Sequence, residues 1–277
     1  MNTKIKKLIK GCSIIHKSLL FAYDLWLAIR GIRVNFDSMR EFSAKQKGFV
    51  QLGSANYQLY SNIFPRLLER YSGDAGILVL DVGGSDGWFA KIIFRFCGRQ
   101  AKVISFEPLR SMAEKLSQLS SCYPNYHFEG LALGSTGGET EIIEYGTSGL
   151  SSMKTLSEEY GYSNHYDTRV VNRYTTKVVT VDEYLKTRDI NDHLVLKIDT
   201  QGFEYEVLLG AKEALSSGQI IAVIIEVMTI EKYAGAKLYN ELFEFLHSYG
   251  FKIFDLGQSY YEADGSLSEI DCVFIKS

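Results

Sequence analysis

The sequence predicts an α/β protein: a doubly wound, mostly parallel sheet with an antiparallel edge strand, preceded by an N-terminal helical arm. Short apolar runs alternate with helix-like segments through most of the chain, which is the pattern of a parallel sheet covered on both faces. The last two apolar runs have only a turn-rich stretch, "GQSYYEADGSLS", between them, which predicts an antiparallel pair at one edge. A chain of 277 residues, 46% hydrophobic and 23% charged, has an ordinary globular composition.

The alternating elements begin after a helix that is predicted to end near Tyr71. The strand candidates are Ile77 to Val82, Lys102 to Glu107, Tyr126 to Leu131, His193 to Asp199, Ile220 to Val227, Phe251 to Leu256 and Ile270 to Lys276. The helix candidates are Trp88 to Cys97, Ser111 to Ser120, Val181 to Thr187, Phe203 to Leu215 and Lys237 to Tyr249. These elements divide the chain into a helical arm, residues 1–72, and one α/β domain, residues 73–277.

The N-terminal arm is basic, whereas the rest of the chain is acidic. Residues 1–50 carry ten Lys and Arg against three acids, a net charge of +7, so the remaining residues carry −10 of the total of −3. Lys17 and Asp24 interrupt the apolar segment from Gly11 to Ile29, which argues against a membrane span. Within this segment one stripe of a helix is formed by Ile15, Leu19, Ala22, Trp26 and Ile29, which recur at spacings of four and three. The stripe suits contact with an anionic membrane face or a lipid-linked substrate, or docking on the domain or a dimer partner. The acidic domain disfavours nucleic acid as a partner.

Residues 134–180 interrupt the strand-helix alternation. A hairpin-like "GETEIIEY" and an extended "YTTKVVTV" flank a stretch rich in Ser and Tyr, and we expect this insertion to form a lid above the sheet edge. His165 in the stretch is a candidate catalytic base, although an isolated loop histidine is more often a surface residue. Tyr160, Tyr162 and Tyr166 could stack on a sugar ring or pack on the domain.

Four predicted strands end in an acid: Asp81, Glu107, Asp199 and Glu226. Ligands of open α/β sheets bind beyond the carboxyl ends of the strands, so these four acids are expected to face one mouth. One such acid is commonly a helix cap, but four at one edge would repel one another unless ligands, cations or hydrogen-bond donors offset their charge.

The loop "DVGGSDGWF" after the first strand predicts a nucleotide-type cofactor. Gly83, Gly84 and Gly87 allow a tight turn and a close approach of the backbone, and Glu107 ends the second strand, where a carboxylate can accept both hydrogen bonds of a ribose diol. Asp81 immediately before the glycines would repel a pyrophosphate but favours a sulfonium and an ammonium group. The sequence therefore favours S-adenosylmethionine over NAD, with a capping role for Asp81 in a nucleotide-free fold as a third alternative.

Five stretches of this chain resemble the FkbM-type methyltransferases: "VLDVGGSDGWFA", "ISFEPL", "LALGSTGGETEI", "TVDEYL" and "LKIDTQGFEYEVLLGA". The resemblance covers about residues 75–277 and implies a Rossmann-like methyltransferase fold, S-adenosylmethionine as cofactor, and methylation of hydroxyls of sugars and polyketides. It implies further that Asp81, Gly83 and Gly87 line the methionine end of the cofactor and that Glu107 holds the ribose. Leu131 to Leu133 would pass near the adenine, and Ser151 and Ser152 would lie at the base of the lid.

The acceptor side is expected at "KIDTQGFE". Lys197 and Asp199 are two apart on one strand and so point to the same side. Lys197 could pair with Asp199 or orient the acceptor oxygen, and Asp199 could accept the acceptor's proton late in the transfer. Alternatively, Asp199 and Glu226 could bind Mg²⁺ or another divalent cation that acidifies the hydroxyl.

Two other functions remain open on the sequence alone. An NAD(P)-dependent oxidoreductase would bind at the same glycine loop, but Asp81 and the lack of a Ser-Tyr-Lys set count against it. A non-catalytic cofactor-binding assembly module would keep the loop without the chemistry. Four scattered cysteines without a C-x-x-C pair favour reduced thiols and a cytoplasmic location, peripheral at the inner membrane face if the basic arm binds lipid.

Overall fold

The computed structural model describes residues 54–71, 76–158, 166–262 and 264–277. One compact unit, Asn56–Ser277, contains the elements that follow the first helix. The amphipathic stripe predicted between Ile15 and Ile29 lies outside the described residues. Within the part of the chain that is described, no helix is both long and apolar enough to cross a membrane.

Seven strands form the main sheet: β1 (Ile77–Val82), β2 (Ala101–Phe106), β3 (Tyr126–Glu129), β7 (His193–Ile198), β8 (Ile220–Met228), β9 (Phe251–Tyr261) and β10 (Leu267–Lys276). Their order in the sheet is β3-β2-β1-β7-β8-β10-β9. Pairing is parallel from β3 to β8, whereas β10 runs antiparallel to both β8 and β9. The predicted antiparallel pair at one edge is therefore confirmed, and β9 is the edge strand.

Helices cover both faces of this sheet, as the strand-helix alternation predicts. In the described part of the chain the α-helices are α1 (Ser54–Tyr71), α2 (Trp88–Cys97), α3 (Ala113–Cys122), α4 (Val181–Lys186), α5 (Glu204–Leu209), α6 (Lys212–Ser217) and α7 (Tyr239–Ser248). Alternate strand residues explain the arrangement: Val79 and Val195 pack in one buried cluster with α1, α2 and α3, and Leu80 and Leu196 pack in a second with α4 to α7.

The insertion that the sequence predicts between the third and fourth core strands contributes two strands to a second, three-stranded sheet. Its order is β4-β6-β5, with β4 at Ala132–Leu133, β5 at Gly138–Tyr145 and β6 at Val170–Val179. The hairpin-like and extended runs predicted in the insertion thus pair with each other, antiparallel over most of their length. That this region acts as a lid remains a prediction.

The helix predicted from Phe203 to Leu215 is two helices, α5 and α6, with a break at Gly210. A Cβ on Gly210 would lie 2.0 Å from the carbonyl oxygen of Gly134, so the chain needs a glycine there to pass close to the neighbouring backbone. The carboxylate of Asp182 then accepts hydrogen bonds from the backbone N–H groups of Glu213 and Ala214 at the start of α6. These contacts join segments that are distant in sequence, and helical periodicity gives no sign of them.

Candidate active site

A cleft opens beyond the carboxyl ends of β1, β2 and β7. The chain proceeds from β1 to β2 on one side and reaches β7 on the other, so this is the point where the strand order reverses and where ligands of such sheets bind. The empty volume of the cleft is about 700 Å³, part of which is open to solvent. Its walls are residues 82–83, Ser85, residues 106–109, residues 132–133, Ile142, residues 148–149, residues 151–153 and residues 199–201.

The glycine loop after β1 brings the backbone against the end of β7. Gly83 has a φ of 82°, and a Cβ at this position would lie 1.8 Å from the carbonyl oxygen of Asp199. Gly84 and Gly87 lie behind the cleft surface: their added Cβ atoms would meet Ser105 at 2.7 Å and Leu119 at 2.6 Å. Of the three predicted cofactor-binding glycines, Gly83 alone lines the cleft, and the other two allow the loop to pack on β2 and α3.

Two residues other than glycine have a left-handed backbone in the described part of the chain, and both line the cleft. Ser85 has a φ of 48° and Gln201 a φ of 56°. Such conformations cost energy in residues with a Cβ and persist where surrounding contacts hold them, commonly at functional sites. Neither residue was singled out from the sequence, since nothing in a single sequence marks a left-handed position that is not glycine.

Glu107 has the geometry expected of a ligand for a ribose diol. Its two carboxylate oxygens accept backbone N–H bonds from Ser85 at 2.7 Å and from Leu109 at 2.8 Å. Each oxygen keeps a second lone pair for a hydroxyl of a ligand in the cleft. Burial raises the pKa of Glu107 to about 7, and the two N–H bonds oppose that rise. The residues around Glu107 and Gly83 therefore fit an adenosyl cofactor.

Asp81 does not reach the cleft, which corrects the expectation that all four strand-end acids face one mouth. Its carboxylate is fully buried, accepts a 2.6 Å hydrogen bond from Ser105 Oγ and lies 3.3 Å from Lys197 Nζ. Asp81 therefore neutralises a buried cation beneath the glycine loop rather than touching a ligand.

Lys197 links that buried acid to the cleft. Its Nζ lies 3.4 Å from Asp199 Oδ2 and donates to the carbonyl oxygen of Gly83 at 3.1 Å. Burial lowers the pKa of Lys197, but the charges of Asp199 and Asp81 outweigh it and hold that pKa above its ordinary value. Of the two alternatives for Lys197, the structure shows the ion pair.

Asp199 is the acid that faces the cleft on the β7 side. Its side chain is 38% exposed, and Oδ1 accepts a 3.0 Å hydrogen bond from Gln201 Nε2. The same amide nitrogen donates to Glu226 Oε2 at 2.8 Å. Glu226 itself is buried and does not line the cleft, and burial together with the charge of Asp199 raises its pKa well above the ordinary value. Glu226 therefore lies behind the cleft, and the amide of Gln201 bridges it to Asp199.

The donors around Asp199 and Glu226 do not fit a divalent cation. An amide N–H group stands between the two carboxylates, and an ammonium lies beside Asp199, whereas Mg²⁺ and Ca²⁺ require oxygen ligands. Among the described residues, no group of three or more His, Cys, Asp or Glu side chains could hold a metal ion.

The turn after β7 is held by Glu204, the first residue of α5. Its Oε1 accepts hydrogen bonds from Thr200 N at 2.9 Å, Thr200 Oγ1 at 3.1 Å and Gly202 N at 3.1 Å. Burial raises the pKa of Glu204 to about 7. The turn that presents Asp199 and Gln201 is therefore fixed from inside the protein.

The predicted residues of the insertion divide between the cleft and the rest of the structure. Ser151 and Ser152, which the resemblance puts at the base of the lid, line the cleft. Ala132 and Leu133 line it on the predicted adenine side, whereas Leu131 packs against the second buried cluster. Tyr166 is 46% exposed. His165, Tyr160 and Tyr162 lie outside the described residues.

Comparison with known proteins gives the family. The profile of the Methyltransferase FkbM domain matches residues 81–253, more than half of the 277 residues. A search of the curated proteins found no match.

Solved structures similar in fold include three methyltransferases. Magnesium protoporphyrin IX methyltransferase from Synechocystis PCC 6803 is 13% identical, with 87% of this chain and 91% of that chain covered and a TM-score of 0.41. Burkholderia thailandensis 1,6-didemethyltoxoflavin-N1-methyltransferase is 11% identical, with 96% of this chain and 91% of that chain covered and a TM-score of 0.39. Geobacter metallireducens GS-15 precorrin-6y C5,15-methyltransferase is 7% identical, with 78% of this chain and 88% of that chain covered and a TM-score of 0.40. Similarity at this level carries no argument about substrate.

The family match extends over the glycine loop, Glu107 and the turn after β7, which are the parts that build the cleft. The chain belongs to the FkbM methyltransferase family and is an S-adenosylmethionine-dependent methyltransferase.

Proposed function

We propose that this methyltransferase transfers its methyl group to a sugar hydroxyl of a glycan, a glycolipid or a glycosylated natural product. The observation that carries the proposal is the position of Asp199: a carboxylate at the end of β7, partly exposed to the cleft and held between Lys197 and Gln201. A hydroxyl acceptor loses a proton during methylation, and Asp199 is the carboxylate placed to accept it.

Bound S-adenosylmethionine supplies an electrophilic methyl group. The protein's own residues then hold the two reactants in line, which is worth several kcal/mol in well-oriented reactions. Glu107 and Gly83 line the cleft. Glu107 would accept hydrogen bonds from the ribose, and Gly83 would let the cofactor approach the backbone. Asp199 accepts the acceptor's proton late, as the carbon-oxygen bond forms, because an alkyl hydroxyl is too weak an acid to ionise beforehand.

The cleft wall next to Asp199 suits a polyhydroxyl acceptor. Ser148, Ser151, Ser152 and Thr200 line it. The O–H groups of Ser152 and Thr200 already donate within the protein, so these two side chains can accept from a ligand hydroxyl, whereas Ser148 and Ser151 can also donate. Ser152 already donates to the carbonyl oxygen of Gln201 at 2.6 Å and so helps to shape the wall.

Calorimetry and a transfer assay test the proposal. We expect binding of S-adenosylmethionine and S-adenosylhomocysteine but not of NAD, and a mass gain of one methylene on a member of a sugar and glycolipid panel. D199N should bind S-adenosylhomocysteine within roughly 3-fold of wild type yet transfer no methyl group. The matched control D264N changes an exposed hairpin residue and should transfer normally. Failure to bind either adenosyl compound, or normal transfer by D199N, would contradict the proposal.

We further propose that residues 1–50 attach the enzyme peripherally to anionic lipid on the cytoplasmic side of the membrane. The net charge of +7 in this segment supports the proposal. Co-sedimentation with phosphatidylglycerol vesicles should fall when Lys4, Lys6, Lys7 and Lys10 are changed together to Gln. If sedimentation is unchanged and the wild-type chain is dimeric in solution, the segment serves dimerisation instead.

A further inference from the structure

Gln201 contacts Asp199 in the cleft and two buried residues behind it, Glu226 and Tyr233. Its amide nitrogen reaches Asp199 and Glu226, as described above, and its Oε1 lies 3.0 Å from the hydroxyl of Tyr233. The same hydroxyl lies 3.0 Å from the carbonyl oxygen of Leu150. Leu150 belongs to residues 148–153, which we call the serine-rich loop.

A second contact joins Gln201 to this loop through the backbone. Ser152 Oγ donates to the carbonyl oxygen of Gln201 at 2.6 Å and accepts from Lys154 N at 2.9 Å. The loop therefore contacts Gln201 directly through the main-chain oxygen, whereas its link to the Gln201 side chain is indirect. That link is the single O–H of Tyr233, which lies 3.0 Å from both Gln201 Oε1 and the carbonyl oxygen of Leu150 and is shared between them. Since four residues of this loop besides Ser152 line the cleft, namely Ser148, Gly149, Ser151 and Met153, its seat fixes that wall.

Tyr233 leaves Gln201 little freedom to adopt another position. Tyr233 is fully buried. It also packs against Gly202, the residue after Gln201: a Cβ added to Gly202 would lie 2.8 Å from the Cβ of Tyr233. Gln201 has a left-handed backbone, with a φ of 56°, which the surrounding contacts must maintain because the residue carries a Cβ, whereas Gly202 adopts its φ of 94° freely. The side-chain amide is thus held at one orientation, with the donor toward the carboxylates and the acceptor toward the tyrosine.

We propose that Gln201 is a positioning residue that couples the orientation of Asp199 to the seating of the serine-rich loop. The donor end of its amide holds Asp199 Oδ1, which leaves the remaining lone pairs of that carboxylate for the acceptor. The main-chain oxygen holds the loop through Ser152, and the acceptor end of the amide is linked to the loop through the shared hydroxyl of Tyr233. When the serine-rich loop is bound to Gln201, the orientation of Asp199 that can accept a proton is favoured. Coupling is reciprocal, so Asp199 in that orientation also favours binding of the loop to Gln201. The catalytic side of this inference rests on the proposed role of Asp199.

The coupling can be measured without any acceptor, by hydrogen exchange of amides 148–153 in the full-length protein. Q201M keeps the length of the side chain but removes the amide, and we expect exchange in the loop to rise roughly 3- to 10-fold, the effect of one hydrogen bond. D199A should also raise it in the wild-type background but should add nothing in the Q201M background. No effect of D199A, or equal increments in both backgrounds, overturns the coupling.

Turnover tests whether the coupling matters for methyl transfer. With the acceptor found in the transfer assay, Q201M should lower kcat roughly 10- to 100-fold and leave KM for S-adenosylmethionine within about 3-fold, the pattern of a lost transition-state contact. Y233F removes only a buried hydroxyl outside the cleft and should lower kcat as well. The matched control is Y145F. Tyr145 lies in the same apolar cluster as Tyr233, and its buried hydroxyl accepts a hydrogen bond from Leu156 N, so its removal should preserve kcat. Wild-type kcat in Y233F would overturn the proposal.

The two proposals fail in different ways. If calorimetry shows no adenosyl binding, the proposed function is wrong, while the exchange cycle still decides whether Gln201 couples the loop to Asp199. If binding and transfer occur but the exchange effects of Q201M and D199A are additive, the function stands and the role of Gln201 is refuted.

Discussion

Replacing Lys197 with methionine should destabilise the protein strongly, because it leaves a buried carboxylate without its cation. The Lys197 side chain is 8% exposed and that of Asp81 is 0% exposed, with 3.3 Å between Nζ and Oδ1. At an effective dielectric constant of about 20, two unit charges at that separation attract by about 5 kcal/mol, which desolvation of both groups offsets in part.

Breaking a buried pair by removing one partner typically costs about 3–5 kcal/mol, and we expect K197M to fall in this range. For a body of this size, each kcal/mol lowers Tm by roughly 2–4 °C, so the melting temperature should fall by roughly 6–20 °C. Denaturant unfolding and calorimetric melting of K197M, D81N and the double variant measure the loss directly.

The double variant decides the physical cause. In D81N/K197M both charges of the Asp81 pair are gone, and the amide oxygen introduced at position 81 can still accept the hydrogen bond from Ser105. The stability of the double variant should therefore exceed that of K197M by at least about 1–2 kcal/mol, although one residue more has been changed. A loss below about 1 kcal/mol in K197M, or a double variant as unstable as the sum of the singles, would refute the reasoning.

Further predictions concern stability and cofactor affinity. The pKa of Glu204 is raised to about 7, so its stabilising contribution is full below the unfolded pKa near 4.5 and is lost as pH rises through 7. E204Q keeps Oε1 for the turn, and in urea unfolding it should be more stable than wild type at pH 8 by about 1–3 kcal/mol but not at pH 5. E204A should be less stable than wild type at both pH values. An equal effect of E204Q at the two pH values would contradict the raised pKa of Glu204. Because the pKa of Glu107 is also raised to about 7, calorimetric affinity for S-adenosylhomocysteine should weaken as pH falls from 8 to 6, and a dependence of the same size in E107Q would remove Glu107 as its source. G83A should lower Tm sharply through its 1.8 Å contact with the backbone of Asp199, whereas G149A, with nothing within 4 Å of an added Cβ, should leave Tm unchanged; equal Tm values would argue against the close approach.

The secondary structure followed from short-range pattern. The bounds of β1 and α2 agree with the expected bounds, because an apolar run and a helical stripe are complete within a few residues of one another. Errors occurred where distant segments decide. The helix expected over Phe203 to Leu215 divides at Gly210, because the backbone at Gly134 passes against it.

The candidate site was predictable as a set of residues but not as an arrangement. Sequence position showed that four acids end four strands, and two of them, Glu107 and Asp199, do face the cleft. It could not show that Asp81 is enclosed by Ser105 and Lys197, or that Glu226 lies behind Gln201, because those partners come from other strands and loops. The exposure of an acid depends on such neighbours.

The sequence by itself determined the fold class, the family and the edge of the sheet where ligands bind, since these depend on periodicity, strand order and motif spacing. The tertiary structure alone decided which acids touch the cleft, which stay buried as ion-pair partners, and that Gln201, with its left-handed backbone, stands at their centre. The physical reason is that charge and strain acquire their energies from burial and from partners brought together by folding.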